Sequence, residues 1–80
     1  MHSREAFELE LRSFVEGLAK RPVRINSLLF ERDYLDSLKV LDLISFLEER
    51  LDLRIQDEQI TLSNFRSIRV IANAFCNGRG

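Results

Sequence analysis

The chain has few of the residues on which side-chain chemistry is usually built. Among 80 residues there is one histidine, one cysteine, one proline and no tryptophan. A single cysteine, Cys76, excludes an internal disulfide framework and fits a reducing cytoplasm, where the protein is expected to reside. With His2 as the lone histidine, no His/Cys/Asp cluster has ligand spacing, and no metal is expected. Long apolar runs are missing too: none nears the ~18 residues that span a bilayer, so no membrane association is expected. Met1-His2-Ser3-Arg4-Glu5 has no apolar core behind its charges, so no signal peptide is expected. An excess of positive charge is also absent, the formal net charge being −1.

What is present is a folded-domain composition, 45% hydrophobic and 31% charged. That length makes one domain, 1–80, with an ordered core from about 4 to 76 and a modest interior. Its charge is unevenly spread. Between Asp36 and Gln59, seven acids (Asp36, Asp42, Glu48, Glu49, Asp52, Asp57, Glu58) face only Lys39, Arg50 and Arg54, a net of −4. Beyond residue 60 come Arg66, Arg69 and Arg79 with no acid. An acidic middle argues against nucleic acid, which needs a basic face, and points to a basic protein surface.

Periodicity predicts an all-α fold, a small four-helix bundle of three long helices and one short. The first helix runs from about Arg4 to Ala19, with Ser3 as N-cap and Phe7, Leu11, Phe14, Val15 and Leu18 as its apolar stripe. Pro22 prevents its continuation. The connection from Lys20 to Asp36 carries Val23, Ile25, Leu28, Leu29, Phe30 and Leu35. That is too apolar for a solvated linker, so it is expected to pack across the bundle. The second helix, about Ser37 to Leu51, is expected to be central, with a polar strip through Lys39, Asp42, Ser45 and Glu49. One short helical turn is expected between Asp52 and Arg66. A third long helix starts after the N-cap Ser67, buries Ile68, Ile71, Ala72, Phe75 and Cys76, and ends at Asn77-Gly78. Cys76 reads as structural, and the six phenylalanines as mainly core, with Phe46 alone near the polar strip.

Asp36-Ser37-Leu38 is the one place set up for chemistry. A serine at the positive end of a helix suits a phosphate. Three roles are open to it. As a hydrolase nucleophile it would need a nearby general base, and neither His2 nor a Gly-x-Ser-x-Gly elbow provides one. As an N-cap it would bond an amide near Val40, although Asp36 is an equally good cap. As an acceptor it would carry a covalent phosphodiester whose attached arm brings the reactivity that the chain lacks. No residue is expected to be catalytic.

The stretch from Asp33-Tyr34-Leu35-Asp36-Ser37-Leu38 through Phe46-Leu47-Glu48-Glu49, followed by Leu53-Arg54-Ile55-Gln56-Asp57-Glu58, strongly resembles the acyl carrier protein family. In that family an Asp-Ser-Leu opens the second helix of a four-helix bundle. The resemblance implies that Ser37 carries 4′-phosphopantetheine, transferred from coenzyme A, whose thiol holds acyl groups as thioesters. It implies that Asp36 is the acid recognised by a phosphopantetheinyl transferase and that Leu38 is the apolar contact beside it. Asp42, Glu48 and Glu49 would then dock on basic patches of ligase or synthase enzymes. It implies a monomeric carrier rather than an enzyme, serving fatty acid, polyketide or nonribosomal peptide biosynthesis.

Three departures accompany it. Lys39 stands where fatty-acid carriers usually have an acid, which implies a different choice of partner. Gln56 replaces the usual proline and is expected to loosen the following loop. Arg66 and Arg69 make the last helix basic. Thr61-Leu62-Ser63-Asn64-Phe65-Arg66-Ser67-Ile68 is more similar to stand-alone carriers loading amino acids, hydroxy acids or unusual extender units. A sheltered acyl chain would lie by Leu28-Leu29-Phe30 and in the bundle interior. The reading from a different class is an unmodified helical adaptor in which Ser37 is only a cap.

Overall fold

In the computed structural model, which describes residues 4–76, the helices are α1 (Arg4–Ala19), α2 (Lys39–Leu51) and α3 (Ile68–Ile71). A 3₁₀ turn, Asp57–Gln59, lies between α2 and α3, and α3 runs on without a break into a π-helical turn, Ala72–Cys76. No strand occurs among the described residues. The radius of gyration is 11.4 Å, matching the ~12 Å expected of one globular domain of this length.

The all-helical class is as expected, but the count of four helices is not found. The short fourth element is a single 3₁₀ turn, and the third long helix is one α turn followed by a π turn. The expected caps Ser3 and Asn77-Gly78 lie outside the described residues. Centrality also changes hands. The helix packed against both α2 and the α3–π segment is α1, whose Phe7, Leu11 and Val15 recur every four residues and are buried. On α2 only Leu43 and Leu47 are fully buried, while Leu41 is 59% exposed.

The two long helices end in the same way. Lys20 and Asp52 both adopt a left-handed backbone, φ 60° and 53°, and each amide donates to a glutamate carbonyl four residues back, Glu16 and Glu48. Both glutamates then reach forward with their side chains. Glu16 Oε2 accepts from the Val23 amide at 2.8 Å, and Glu48 Oε2 accepts from the Ile55 amide at 2.9 Å. Val23 and Ile55 are core residues, so each carboxylate satisfies a backbone donor that the core keeps from water.

The connection from 20 to 38 does pack across the molecule, burying Val23, Leu29 and Leu35. Leu29 organises it. Its amide donates to the Arg66 carbonyl at 2.9 Å, and its own carbonyl accepts from Tyr34 and Leu35 at 2.8 and 3.0 Å. The Arg69 amide donates to the Ile25 carbonyl at 3.1 Å, which ties this connection to the start of α3. The Arg21 guanidinium lies 4.1 Å above the Tyr34 ring. Leu29 and Leu35 therefore fix the path of the chain as it enters Asp36-Ser37-Leu38.

Ser67 caps α3 as expected, its hydroxyl accepting from the Val70 amide at 3.2 Å. The effect expected of Gln56 is not seen. Its amide, which a proline would lack, donates to Gln59 Oε1 at 2.8 Å and secures the 3₁₀ turn.

Candidate functional site

Asp36 is the cap of α2. Its Oδ1 accepts from the amides of Leu38 and Lys39 at 3.0 and 2.8 Å, and its carbonyl accepts from the Val40 amide at 2.9 Å. Its other carboxylate oxygen lies 3.2 Å from Lys39 Nζ. The regular helix begins at Lys39, two residues later than expected, with Ser37 and Leu38 in the turn that leads into it. The Lys39 amide first, and its ammonium next, hold the Asp36 carboxyl below the usual aspartate range.

That shift has a testable pH consequence. A carboxyl whose folded-state pKa is depressed supports the fold above its unfolded pKa, and the support is lost as pH falls through the folded value. A carbon-detected NMR titration should give Asp36 a midpoint below that of an ordinary aspartate. In Lys39→Gln the midpoint should rise only part of the way, because the two amides remain. An ordinary midpoint in the native protein would contradict this geometry.

With the cap provided by Asp36, Ser37 is left exposed, and its hydroxyl makes no hydrogen bond among the described residues. Leu38 follows in a helical conformation, φ −82° and ψ −44°, and is 75% exposed. Serine, uncovered leucine and acid thus share one fixed turn, on which an approaching molecule can reach the hydroxyl from solvent. Among the described residues, no side chain hydrogen-bonds the Ser37 hydroxyl as a general base would. His2 lies outside the described residues, and no metal-holding group of three or more His, Cys, Asp or Glu occurs among those described. No helix among them is long and apolar enough to cross a membrane.

The acidic residues behind the serine divide into two kinds. Asp42 and Glu49 are exposed and take part in no ion pair among the described residues. They border an open hollow floored by Phe14, Leu18 and Phe46, where the Phe14 and Phe46 rings stack at 4.3 Å. Glu48 is half-buried, and one of its oxygens is engaged by Ile55 as described above. That internal task was not legible in the acid's position on the helix. The signal was its match to Glu16, the same distance ahead of a left-handed residue and a buried β-branched one.

Glu48→Ala is therefore expected to destabilise the domain by about 1–3 kcal/mol, the cost of an unsatisfied buried amide. Glu48→Gln keeps an acceptor and should lose less. Urea denaturation checks both, and a Glu48→Ala protein as stable as the parent would refute the assignment.

Cys76 is half-buried and joins Phe7, Glu10, Arg50 and Leu51 around a cavity of about 20 Å³, in keeping with a packing role. Leu29 is fully buried and Phe30 packs half-buried against the core, whereas Leu28 is half-buried. No protein-family model matches this sequence, and comparison with curated proteins finds no match.

Proposed function

We propose that this chain is a carrier protein of the acyl carrier type, modified on Ser37 with 4′-phosphopantetheine from coenzyme A. The observation that carries the reading is the unbonded, exposed Ser37 hydroxyl on a turn already capped by Asp36. Composition agrees: a chain with one histidine and one cysteine gains reactivity most simply from an attached group. The four-helix architecture belongs to this reading, with the Asp57–Gln59 turn standing for the short helix.

When bound, the arm supplies a thiol that holds acyl, aminoacyl or hydroxyacyl groups as thioesters. The protein's own residues do the rest. Ser37 Oγ is the nucleophile toward the coenzyme A pyrophosphate: a phosphorus–oxygen bond forms to Ser37, the bond to the nucleotide phosphate breaks, and the hydroxyl proton passes to the transferase. Asp36 fixes the turn. Leu38 and Leu41 offer apolar contact, and Asp42 and Glu49 offer free negative charge to basic patches of the transferase and of acyl ligases or synthases. Such charges mainly govern encounter and specificity. The carrier acts as a cytoplasmic monomer and is not itself an enzyme.

The test is intact mass spectrometry after incubation with coenzyme A, Mg²⁺ and a broad-specificity phosphopantetheinyl transferase. One phosphopantetheine adduct on Ser37 is expected, and the absence of any adduct would overturn the reading. An unmodified helical adaptor is the second reading, supported by the free charges of Asp42 and Glu49 beside the Phe14–Phe46 hollow. It requires that no adduct form.

A further inference from the structure

We infer that a hollow in the connection before α2 receives the far end of the arm's cargo, and that it selects an acyl group ending in a carboxylate. The inference rests on the carrier reading and names the class of cargo.

The hollow, about 290 Å³, is lined by Asn26, Ser27, Leu28, Arg32 and Tyr34. Its walls are tied together by the backbone. The Ser27 amide donates to the Arg24 carbonyl at 3.0 Å, the Arg32 amide to the Leu28 carbonyl at 3.0 Å, and the Tyr34 amide to the Leu29 carbonyl at 2.8 Å. The Arg24 amide in turn donates to Ser27 Oγ at 2.9 Å. Arg21 lies over the Tyr34 ring and donates to the Arg32 carbonyl. The lining is thus set before any ligand arrives, which lowers the entropy lost on binding.

Its side-chain polar groups are free to act. Among the described residues, the Arg32 guanidinium, the Asn26 side-chain amide and the Tyr34 hydroxyl make no hydrogen bond, and Arg32 joins no ion pair. Local charge points the same way. From residue 20 to 34, four cations (Lys20, Arg21, Arg24, Arg32) meet two acids (Glu31, Asp33), a net of +2, and neither acid lines the hollow. A guanidinium offers a planar fork of N–H donors that matches a carboxylate bidentately. The amide and the phenol add further donors, and Leu28 gives the carbon chain an apolar wall. The hollow over Phe14 and Phe46 is no rival for such a group, because Asp42 and Glu49 border it and repel an anion.

Reach follows from connectivity. Tyr34 is three residues from Ser37, so their Cα atoms are at most about 11 Å apart. The arm, followed along its bonds from phosphorus to sulfur, is longer than three residues of main chain. An acyl group on its thiol can therefore fold back to Arg32 and Tyr34 while the serine keeps its exposed turn. Tethering raises the effective concentration, so a contact too weak to hold a free anion is still populated.

The experiment loads Ser37 of the full chain from adipyl-coenzyme A and from hexanoyl-coenzyme A, using a broad-specificity transferase. The two acyl groups share a chain length and differ in a terminal carboxylate or methyl. NMR follows the Arg32 Nε–H and Asn26 side-chain amide signals, and a carbon-13 label reports titration of the adipyl carboxylate. The adipyl form is expected to shift both signals from their places in the holo form, and the hexanoyl form neither. The tethered carboxylate should titrate about one pH unit below that of adipyl-pantetheine in solution. Arg32→Gln should abolish this depression, and Tyr34→Phe, which keeps the ring under Arg21, should weaken it. Inorganic phosphate or free adipate, equimolar with the holo form, should leave the signals in place. Equal signals in the adipyl and hexanoyl forms, a midpoint that is undepressed or indifferent to Arg32→Gln, or equal shifts from the free anions would overturn this inference and leave the carrier reading standing. If Ser37 accepts neither acyl arm, the carrier reading fails and takes this inference with it.

Discussion

Ser37→Ala is expected to abolish phosphopantetheine attachment completely while changing stability by no more than about 0.5 kcal/mol. The two outcomes are linked by one structural fact. A serine that capped α2 would lose about 1 kcal/mol on replacement by alanine, but the amides at this helix start are held by Asp36 Oδ1. Asp36→Ala should behave in the opposite way. It removes the cap and the Lys39 pair together and measurably lowers stability, yet it leaves a hydroxyl that still accepts the arm at a reduced rate. Chemical denaturation and intact mass, run on both variants, separate the acceptor from the cap. If Ser37→Ala keeps its adduct, the modified residue is elsewhere. If it loses substantial stability, the division of labour between Asp36 and Ser37 is wrong.

That division was partly legible in the sequence. Asp and Ser are both good caps, and the residues alone left the choice open. The backbone settles it, because Leu38 is helical and the carboxylate two residues back reaches two consecutive amides. The C-terminal end of α1 at Ala19 was legible, since its apolar spacing is long and Pro22 lies just beyond. The third helix was legible only at its start, through Ser67. Its apolar positions, Ile68, Ile71, Ala72 and Phe75, are spaced as in any α-helix, so nothing in them marks the widening into a π turn at Ala72. The inward duty of Glu48 was hidden for a different reason. An acid on a helix reads as solvated until the chain seven residues on is known to return beneath it, and that return depends on the left-handed Asp52. The place of the Asp36-Ser37-Leu38 turn, just before α2, was the most legible part, because a short polar turn against an apolar helix is local in the chain.

Phe65→Ala is expected to cost about 3–5 kcal/mol, the range for truncating a buried aromatic side chain. For a chain of 80 residues the whole stability is about 4–12 kcal/mol, so this one change should bring the domain close to unfolding. Phe65 is 1% exposed and packs at 5.4 Å from the Phe75 ring in a tilted arrangement. It is the buried anchor of the 61–67 segment, whose neighbours Leu62 and Arg66 are exposed, and its amide closes the turn onto the Thr61 carbonyl at 3.1 Å. The next residue, Arg66, gives its carbonyl to Leu29, and Leu29 organises the connection leading to Asp36. Loss of the ring therefore loosens the contact that positions the serine's turn as well as the packing of α3 and the π turn. Phe65→Leu keeps most of the apolar volume and should lose no more than about 2 kcal/mol. Denaturation midpoints of the two variants test the anchor, and their modification rates test its reach. With Phe65→Leu still folded, a slower attachment to Ser37 is expected as the Leu29 connection gains freedom. A Phe65→Ala protein within 1 kcal/mol of the parent would show that the segment is held by its backbone bonds alone.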